Sequence, residues 1–366
     1  MSADRVLLVT GPATGGVAGH VAGLSSGLAE LGWDVSVFTS PITATRVTDA
    51  RVEVVSNWPA GRHNLLASMK TLRRMIGEAG VVHAHGHQAG LLVVLAAATL
   101  KQRPPVIVTW HNAVLGSGPK RRALGVAEQI QAKRADLLTG ASSDLVARAQ
   151  ELGAKQAELT IVSAEPPQAS VDASQIGSEL PPRRGPLVLT VSRIAPQKRL
   201  DVLVDAAALV AADVLGVQWV VAGDGDLELL DRLEVRRNRA NAPVTFLGRR
   251  EDVASLLAQA DVFALASEWE ARPLAVQEAM TAGVPVVATR VGGVADLLGD
   301  AGVLVGPGSA PALAAAVRDL LTDPARAGEM AERARARVAT FPSEGDVTQG
   351  WHDRYRRLVA AAVRGR

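Results

Sequence analysis

Two carboxylates eight positions apart, Glu270 and Glu278, stand in the segment ALASEWEARPLAVQEAMTAGVPVVATRVGG, where their surroundings give them chemistry. An apolar strand ends just before the first, and the second falls inside a helix expected over Leu274 to Ala282. A carboxylate at the approach to a helix accepts hydrogen bonds from sugar hydroxyls, and one on the helix face accepts both hydroxyls of a ribose; neither has to titrate. The amides of Leu274 and Ala275, in the first helical turn, suit a phosphate, and Pro273 marks the start of the helix. Glutamates at this spacing are common on exposed helices, so the weight rests on the strand before them and on VPVVATRVGG after them.

Arg193 and Lys198 lie in SRIAPQKRLDVLVDAA, the first just past a strand and the second in the loop before a helix. Fixed cations there stabilise the negative charge that develops on a leaving nucleoside diphosphate; the plain alternative is a pair of solvated loop cations. FLGRR ends another strand, with the backbone of Gly248 and Arg249 placed to meet the nucleotide base. AGDGD has the glycines of a phosphate loop, but Asp224 and Asp226 would repel an anion, so it reads as a structural strand-to-helix turn.

In the first half of the chain, GPATGGVAGHV puts Gly15, Gly16 and Gly19 at a turn that opens a helix. Glycines let the backbone approach a phosphate, and a helix N-terminus favours an anion. The dinucleotide fingerprint G-x-G-x-x-G is absent. In VVHAHGHQ, His83, His85 and His87 alternate and would share one face of an uninterrupted strand, which raises zinc as one reading. Gly86 is expected to end the strand and turn His87 away, which favours hydrogen bonding to a sugar or acceptor. Gly15, His20, His83 and His85 are read as the acceptor side. His111 directly follows PVIVTW, at the carboxyl end of a strand where a ligand-facing side chain belongs, and is read as a donor to a sugar hydroxyl rather than a nucleophile.

These residues need elements to position them. Short Val- and Leu-rich runs alternate with helical-period segments throughout, the pattern of parallel strands with crossover helices. The first α/β domain is expected over 1–165, a Pro- and Ser-rich linker over 166–186, and a second α/β domain over 187–346. A last helix over 347–366 is expected to fold back on the first domain. Ligands bind outside the carboxyl ends of parallel strands, which predicts a site in the cleft between two such domains.

A chain of 366 residues exceeds the roughly 250–300 that one core sustains, in keeping with two domains. Its 39 Lys and Arg nearly balance 37 Asp and Glu, and one Tyr with four Phe offers few stacking aromatics, which argues against nucleic acid as partner. With no Cys there is no disulfide, thiolate metal site or thiol nucleophile. MSADRVLLVTGPATGG reads as a first strand and turn rather than a signal peptide, so a cytoplasmic location is expected. The most apolar window, Ala89 to Leu100, falls short of the roughly 20 residues that span a bilayer.

Taken in order, these blocks resemble the GT4 family of retaining glycosyltransferases, from GPATGGVAGHV to about Leu320. The resemblance implies a GT-B fold, with two Rossmann-like, doubly wound α/β domains facing each other across a cleft. It implies transfer from a nucleotide-diphosphate sugar, UDP- or GDP-linked, to a hydroxyl acceptor in cell-envelope, glycolipid or secondary-metabolite synthesis. Arg193 and Lys198 match the diphosphate-binding pair, Glu270 the glutamate that faces the donor sugar, and Glu278 the one that holds the ribose. By the same resemblance the Gly16 loop meets phosphate or acceptor, His111 lies beside the donor sugar, and Glu270, His111, Arg193 and Lys198 are the expected catalytic groups. No metal or other cofactor is implied, and retention follows a front-side process in which the leaving phosphate helps to activate the acceptor. Two features depart from the family. EARPL replaces EGFGL, so Ala271 and Arg272 stand for a glycine and an aromatic, and Ser163, Ala164 and Glu165 occupy the place of an Asn-Gly.

Rival readings use the same residues differently: a nucleotide-sugar epimerase or hydrolase, a non-catalytic nucleotide-sugar-binding protein, or a nicotinamide oxidoreductase, the last opposed by the missing fingerprint. Lys120, Arg121, Arg122, Lys133 and Arg134 fall on a helix near 119–134; the plainer reading is a solvated helix face, and the alternative is peripheral contact of this basic face with anionic lipid or a lipid-linked acceptor at the inner face of a membrane.

Overall fold

The structure, a computed structural model, describes residues 4–13, 15–59, 64–161 and 183–364. Most of the expected linker, together with Ser163, Ala164 and Glu165, lies outside them. Two compact units emerge, Met1–Ala164 with Pro342–Arg366, and Glu165–Phe341.

Unit 1 holds a parallel seven-stranded sheet of β1 (Arg5–Thr10), β2 (Asp34–Thr39), β3 (Glu53–Ser56), β4 (Val81–His85), β5 (Val106–Trp110), β6 (Leu137–Gly140) and β7 (Ala157–Leu159). Its strand order is β3-β2-β1-β4-β5-β6-β7. The central strands are apolar runs buried along nearly their full length, as a sheet covered on both faces requires. Helices α1 (Gly16–Glu30), α2 (Pro41–Ala44), α3 (Leu65–Glu78), α4 (His87–Ala97), α5 (Gly118–Arg134) and α6 (Ser143–Glu151) follow successive strands.

Unit 2 holds a parallel six-stranded sheet of β8 (Leu187–Val191), β9 (Gln218–Ala222), β10 (Val244–Gly248), β11 (Val262–Leu265), β12 (Val286–Thr289) and β13 (Val303–Val305), in the order β10-β9-β8-β11-β12-β13. It is flanked by α7 (Leu200–Asp213), α8 (Leu227–Ala240), α9 (Val253–Gln259), α10 (Leu274–Ala282), α11 (Val294–Leu298), α12 (Ala310–Thr322) and α13 (Pro324–Val338). The two faces of this sheet carry separate apolar cores.

The last helix, α14 (Glu344–Arg364), returns to unit 1 and packs along α1. It begins ahead of the expected 347 because Ser343 and Asp346 cap it reciprocally: the Ser343 amide donates to Asp346 Oδ2 at 2.9 Å and the Asp346 amide to Ser343 Oγ at 3.1 Å. Close packing against α1 depends on two glycines. A Cβ on Gly23 would collide with Glu344, and one on Gly27 would come within 2.7 Å of Thr348. Trp351 and Tyr355 are thereby driven into the core beside Trp33 and Val37.

In each sheet, strand order reverses about its first strand, between β1 and β4 and between β8 and β11. Such switch points open a crevice at the carboxyl ends of the strands.

Candidate functional site

At the switch point of unit 2, Arg193 follows β8 and Glu270 follows β11. Glu270 is 7% exposed, an unusual burial for a carboxylate, and three elements hold it there. Ser267 Oγ donates to its Oε1 at 2.6 Å, and Lys198, from the 3₁₀ turn Pro196–Lys198, forms a close ion pair with the same oxygen. The Gly293 amide donates to the Glu270 carbonyl at 2.9 Å. Gly292 makes that approach possible, for a Cβ there would lie 2.0 Å from the Glu270 carbonyl oxygen, and its φ is 48°. Gln197 Nε2 donates to the Trp269 carbonyl at 2.5 Å, and Thr289 Oγ1 to the Ser267 carbonyl at 2.6 Å.

The loop is therefore fixed from β8, β11 and β12 together. Glu270 Oε2 has no protein partner among the described residues, so one oxygen anchors the carboxylate while the other can accept a hydroxyl.

Lys198 is accordingly engaged with Glu270, whereas the expectation had set it with Arg193 on the diphosphate. Arg193 is exposed and has no acidic partner among the described residues. Pro273 is the N-cap of α10, leaving Leu274 and Ala275 as its first residues with donors free of intrahelical partners. Glu278 is half-buried one turn further on, and burial raises its carboxyl above the usual 4.5. Gly248 takes φ 68° at the end of β10, its carbonyl accepting from the Gly223 amide at 2.7 Å. Arg249 is exposed and lies 3.7 Å from Glu251. The AGDGD turn is structural, as expected: Asp226 caps α8 by accepting from the Leu229 amide at 3.0 Å.

Arg272, the residue that departs from the family pattern, sits 4.5 Å over the Phe341 ring, and its Nε donates to Gln277 Oε1 at 3.3 Å. Burial, with Arg337 nearby, lowers its pKa to about 10.

At the switch point of unit 1, Gly15 is the N-cap of α1 with φ 67°, and Gly16 opens the helix. Thr43 steadies the preceding loop, its Oγ1 accepting from the Ala13 amide at 2.9 Å and donating to the Gly11 carbonyl at 3.1 Å. His85, the last residue of β4, aligns with Thr10 of β1, and His111 follows β5. Their rings stack at 5.4 Å, with His85 Nδ1 and His111 Nε2 3.2 Å apart. His20 of α1 packs 5.6 Å from His85 and 5.9 Å from His111.

Desolvation holds all three imidazoles neutral. It depresses His20 to about 4 and His111 to about 3, where the repulsion that a proton on His20 or His87 would bring adds to it; His85 too lies well below the usual range. Among the described residues, the buried Nε2 atoms of His20 and His85 lack a protein partner. A neutral ring with a spare nitrogen can donate to or accept from a hydroxyl, so Gly15, Gly16, His20, His85 and His111 are brought together.

His83 is a correction. It is fully buried, and both ring nitrogens are committed, Nδ1 to Tyr355 Oη and Nε2 to Thr109 Oγ1, each at 2.6 Å. No nitrogen is left for an acceptor, so His83 is structural. Gly86, at φ 89°, ends β4, and His87 turns onto Trp110 with Nε2 bonded to the Asn112 carbonyl. Zinc shared by His83, His85 and His87 fails geometrically, because both His83 nitrogens are committed and His87 is turned away onto Trp110.

Sequence reasoning missed Ser267, Gln197, Gly292 and Gly293 around Glu270, and Tyr355 and Thr109 around His83. The VGG run was visible in the sequence as a flank of the motif. Nothing in the local sequence could have tied Tyr355 to a histidine 272 positions away.

A family model described as Glycosyl transferase 4-like domain matches residues 15–165, and one described as Glycosyl transferases group 1 matches residues 185–323. The chain is 30% identical over 283 residues to the N-acetyl-alpha-D-glucosaminyl L-malate synthase of Bacillus anthracis, covering 72% of each chain. It is 30% identical over 291 residues to the alpha-D-kanosaminyltransferase of Streptomyces kanamyceticus, covering 74% of this chain and 75% of that one. In fold it is similar to Anabaena HepE, solved in complex with UDP and glucose, with a TM-score of 0.80 at 20% identity over 96% of this chain and 98% of the other.

Proposed function

Because this chain belongs to the GT4 family of glycosyltransferases and is a hexosyltransferase of the GT-B fold, we propose that it moves a sugar, with retention, from a UDP- or GDP-sugar to a hydroxyl acceptor without a metal. The observation that carries this reading is the clamp on Glu270, which leaves one carboxylate oxygen unengaged at the carboxyl edge of the sheet that also carries Arg193, without an acidic partner among the described residues, and just ahead of the open first turn of α10. UDP in the HepE complex supports a uridine nucleotide as the first donor to try.

In this reading Glu278 accepts the ribose hydroxyls, the Gly248–Arg249 backbone meets the base, and Arg193 with the Leu274 and Ala275 amides receives the diphosphate. Lys198 turns from Glu270 toward the phosphate as charge builds there, freeing the carboxylate for the sugar hydroxyls. The bond from the anomeric carbon to the phosphate oxygen breaks, and the acceptor oxygen bonds to that carbon on the same face. The acceptor proton passes to the leaving phosphate, so no side chain need act as base. His111, held neutral, donates to a sugar hydroxyl, and Gly15, His20 and His85 line the acceptor side.

A thermal-shift panel of UDP, GDP, ADP and TDP, their sugar conjugates, NAD and NADP, with and without EDTA, tests the proposal. A site filled to a hundred times its dissociation constant adds about 2.7 kcal/mol of stability. One nucleotide stabilising equally with and without EDTA supports it, and stabilisation only by nicotinamide cofactors or only with metal defeats it.

A further inference from the structure

The loop that carries Glu270 into α10 is held from a second side. Arg272 is half-buried, and its guanidinium lies over the ring of Phe341, the last residue of unit 2. Its Nε bond to Gln277, at 3.3 Å, is long, which leaves the ring as the firmer support.

A second guanidinium reaches the same ring. Arg337, near the end of α13, lies 6.0 Å from the Phe341 centroid. It is fixed independently, donating from Nε to the Leu297 carbonyl and from Nη2 to the Asp296 carbonyl, each at 2.7 Å. Carbonyls at the C-terminus of α11 lack intrahelical partners, and a cation there meets the negative end of the helix. Gly299, the C-cap of α11, leaves the space: a Cβ on it would lie 2.8 Å from Arg337 Cζ.

These contacts close a circuit. The Gly293 amide holds the Glu270 carbonyl, and the Leu297 amide donates to the Gly293 carbonyl, each at 2.9 Å. Arg337 takes the Leu297 carbonyl, and Phe341 joins Arg337 back to Arg272. Both ends of α11 are thereby tied to the backbone between Glu270 and Pro273. Bringing two guanidiniums to one half-buried ring costs desolvation and mutual repulsion, which an aliphatic residue at 272 would avoid. The arginine adds direction instead, since a planar cation stacked on a ring and bonded at Nε has one orientation.

We propose that Arg272, Phe341 and Arg337 are positioning residues of the donor site: acting through the 270–273 backbone, they aim the Leu274 and Ala275 amides at the diphosphate and keep Glu270 in its clamp. That role rests on the donor reading above, whereas the frame of contacts does not. Phe341 and Arg337 lie 71 and 67 positions beyond Glu270, outside any local motif.

Hydrogen exchange of the full chain without nucleotide reads the frame. The Val276 and Gly293 amides, bonded to the Pro273 and Glu270 carbonyls, report on the loop. R272A, F341L and R337A should each speed their exchange, R272A/F341L no more than the stronger of its two components, and F341Y should keep the parent's rates. Additive effects, or exchange that rises equally across β8 and β9, overturn the proposal. Calorimetry with UDP and UMP reads the role. Loss of a desolvated cation–π pair shifts an equilibrium by up to roughly 30-fold, so R272A and F341L should weaken UDP about tenfold and UMP less than about twofold. Equal losses for the two nucleotides overturn the positioning role. The exchange pattern in a chain that takes neither nucleotide would uphold the frame and defeat the donor reading.

Discussion

Tyr355 Oη lies 2.6 Å from His83 Nδ1, joining the returning helix α14 to the centre of the first sheet across 272 positions of sequence. Both groups are fully buried, and the chain of bonds continues through His83 Nε2 and Thr109 Oγ1 to Thr139 Oγ1. The His83 ring lies between Trp351, at 4.3 Å, and His85, at 4.0 Å, so α14 bears on the ring that stacks with His111. Tyr355→Phe leaves a buried His83 nitrogen without its partner, at a cost of about 1–3 kcal/mol. Urea unfolding should show a lower midpoint at an unchanged slope. An unchanged midpoint would mean that the bond contributes nothing.

The buried histidines predict how stability responds to acid. His20 and His111 are depressed by burial to about 4 and about 3, and His83 and His85 lie well below the ordinary 6.5 for the same reason. Unfolding exposes each ring to take a proton near 6.5. Stability is therefore full above that pH and falls as pH drops toward the folded values, each ring adding about 1.4 kcal/mol per pH unit within its window. Urea midpoints between pH 7.5 and 4.5 should fall steeply, and His20→Asn should flatten the slope by about one proton. A flat profile would contradict neutral burial.

Lys198→Ala and Arg193→Ala should separate stability from binding. Breaking a buried ion pair by removing one partner costs about 3–5 kcal/mol, and the side chains of Lys198 and Glu270 alone are 14% and 10% exposed. Arg193 is exposed, so its loss should leave unfolding unchanged. Each substitution should weaken nucleoside diphosphate binding by about 1.5–3 kcal/mol, as read by calorimetry. Unaltered binding by both variants would remove the diphosphate assignment.

Gly292→Ala tests the clamp on Glu270 from its backbone side. The new Cβ would meet the Glu270 carbonyl, and φ 48° is strained for alanine, with a cost of about 1–3 kcal/mol expected. Turnover should fall further than nucleotide affinity, since the contacts proposed for the base and ribose, at Gly248–Arg249 and Glu278, lie elsewhere. Equal losses in both would mean that the glycine supports the fold alone.

Glu278→Gln should weaken nucleotide binding and leave folding intact, whereas Glu270→Gln should lower turnover more than affinity. With the Glu278 carboxyl raised by burial, nucleotide binding should begin to weaken, as pH falls, at a higher pH than an ordinary carboxylate would give. Binding curves for wild type and Glu278→Gln, taken across the acid range, check this. The reverse pattern would exchange the two roles.

Sequence by itself determined what is local. Strand and helix alternation is written in apolar periodicity, so α3, α10 and the central strands fall where the pattern puts them. Glu270 and Glu278 are also legible, because a strand, a short loop and a helix place a motif at a carboxyl edge without help from distant residues. Tertiary structure decided what depends on contacts remote in the chain. His83 and His85 share one strand face in sequence, yet only the arrival of Tyr355 and Thr109 makes the first a buried strut, while the second stacks on His111. Lys198 likewise reads as a free loop cation until β8 and β11 pair and bring Glu270 within reach. Periodicity encodes which face a residue takes; burial, and the partner that satisfies a buried polar atom, are set only when separate strands and helices close on one another.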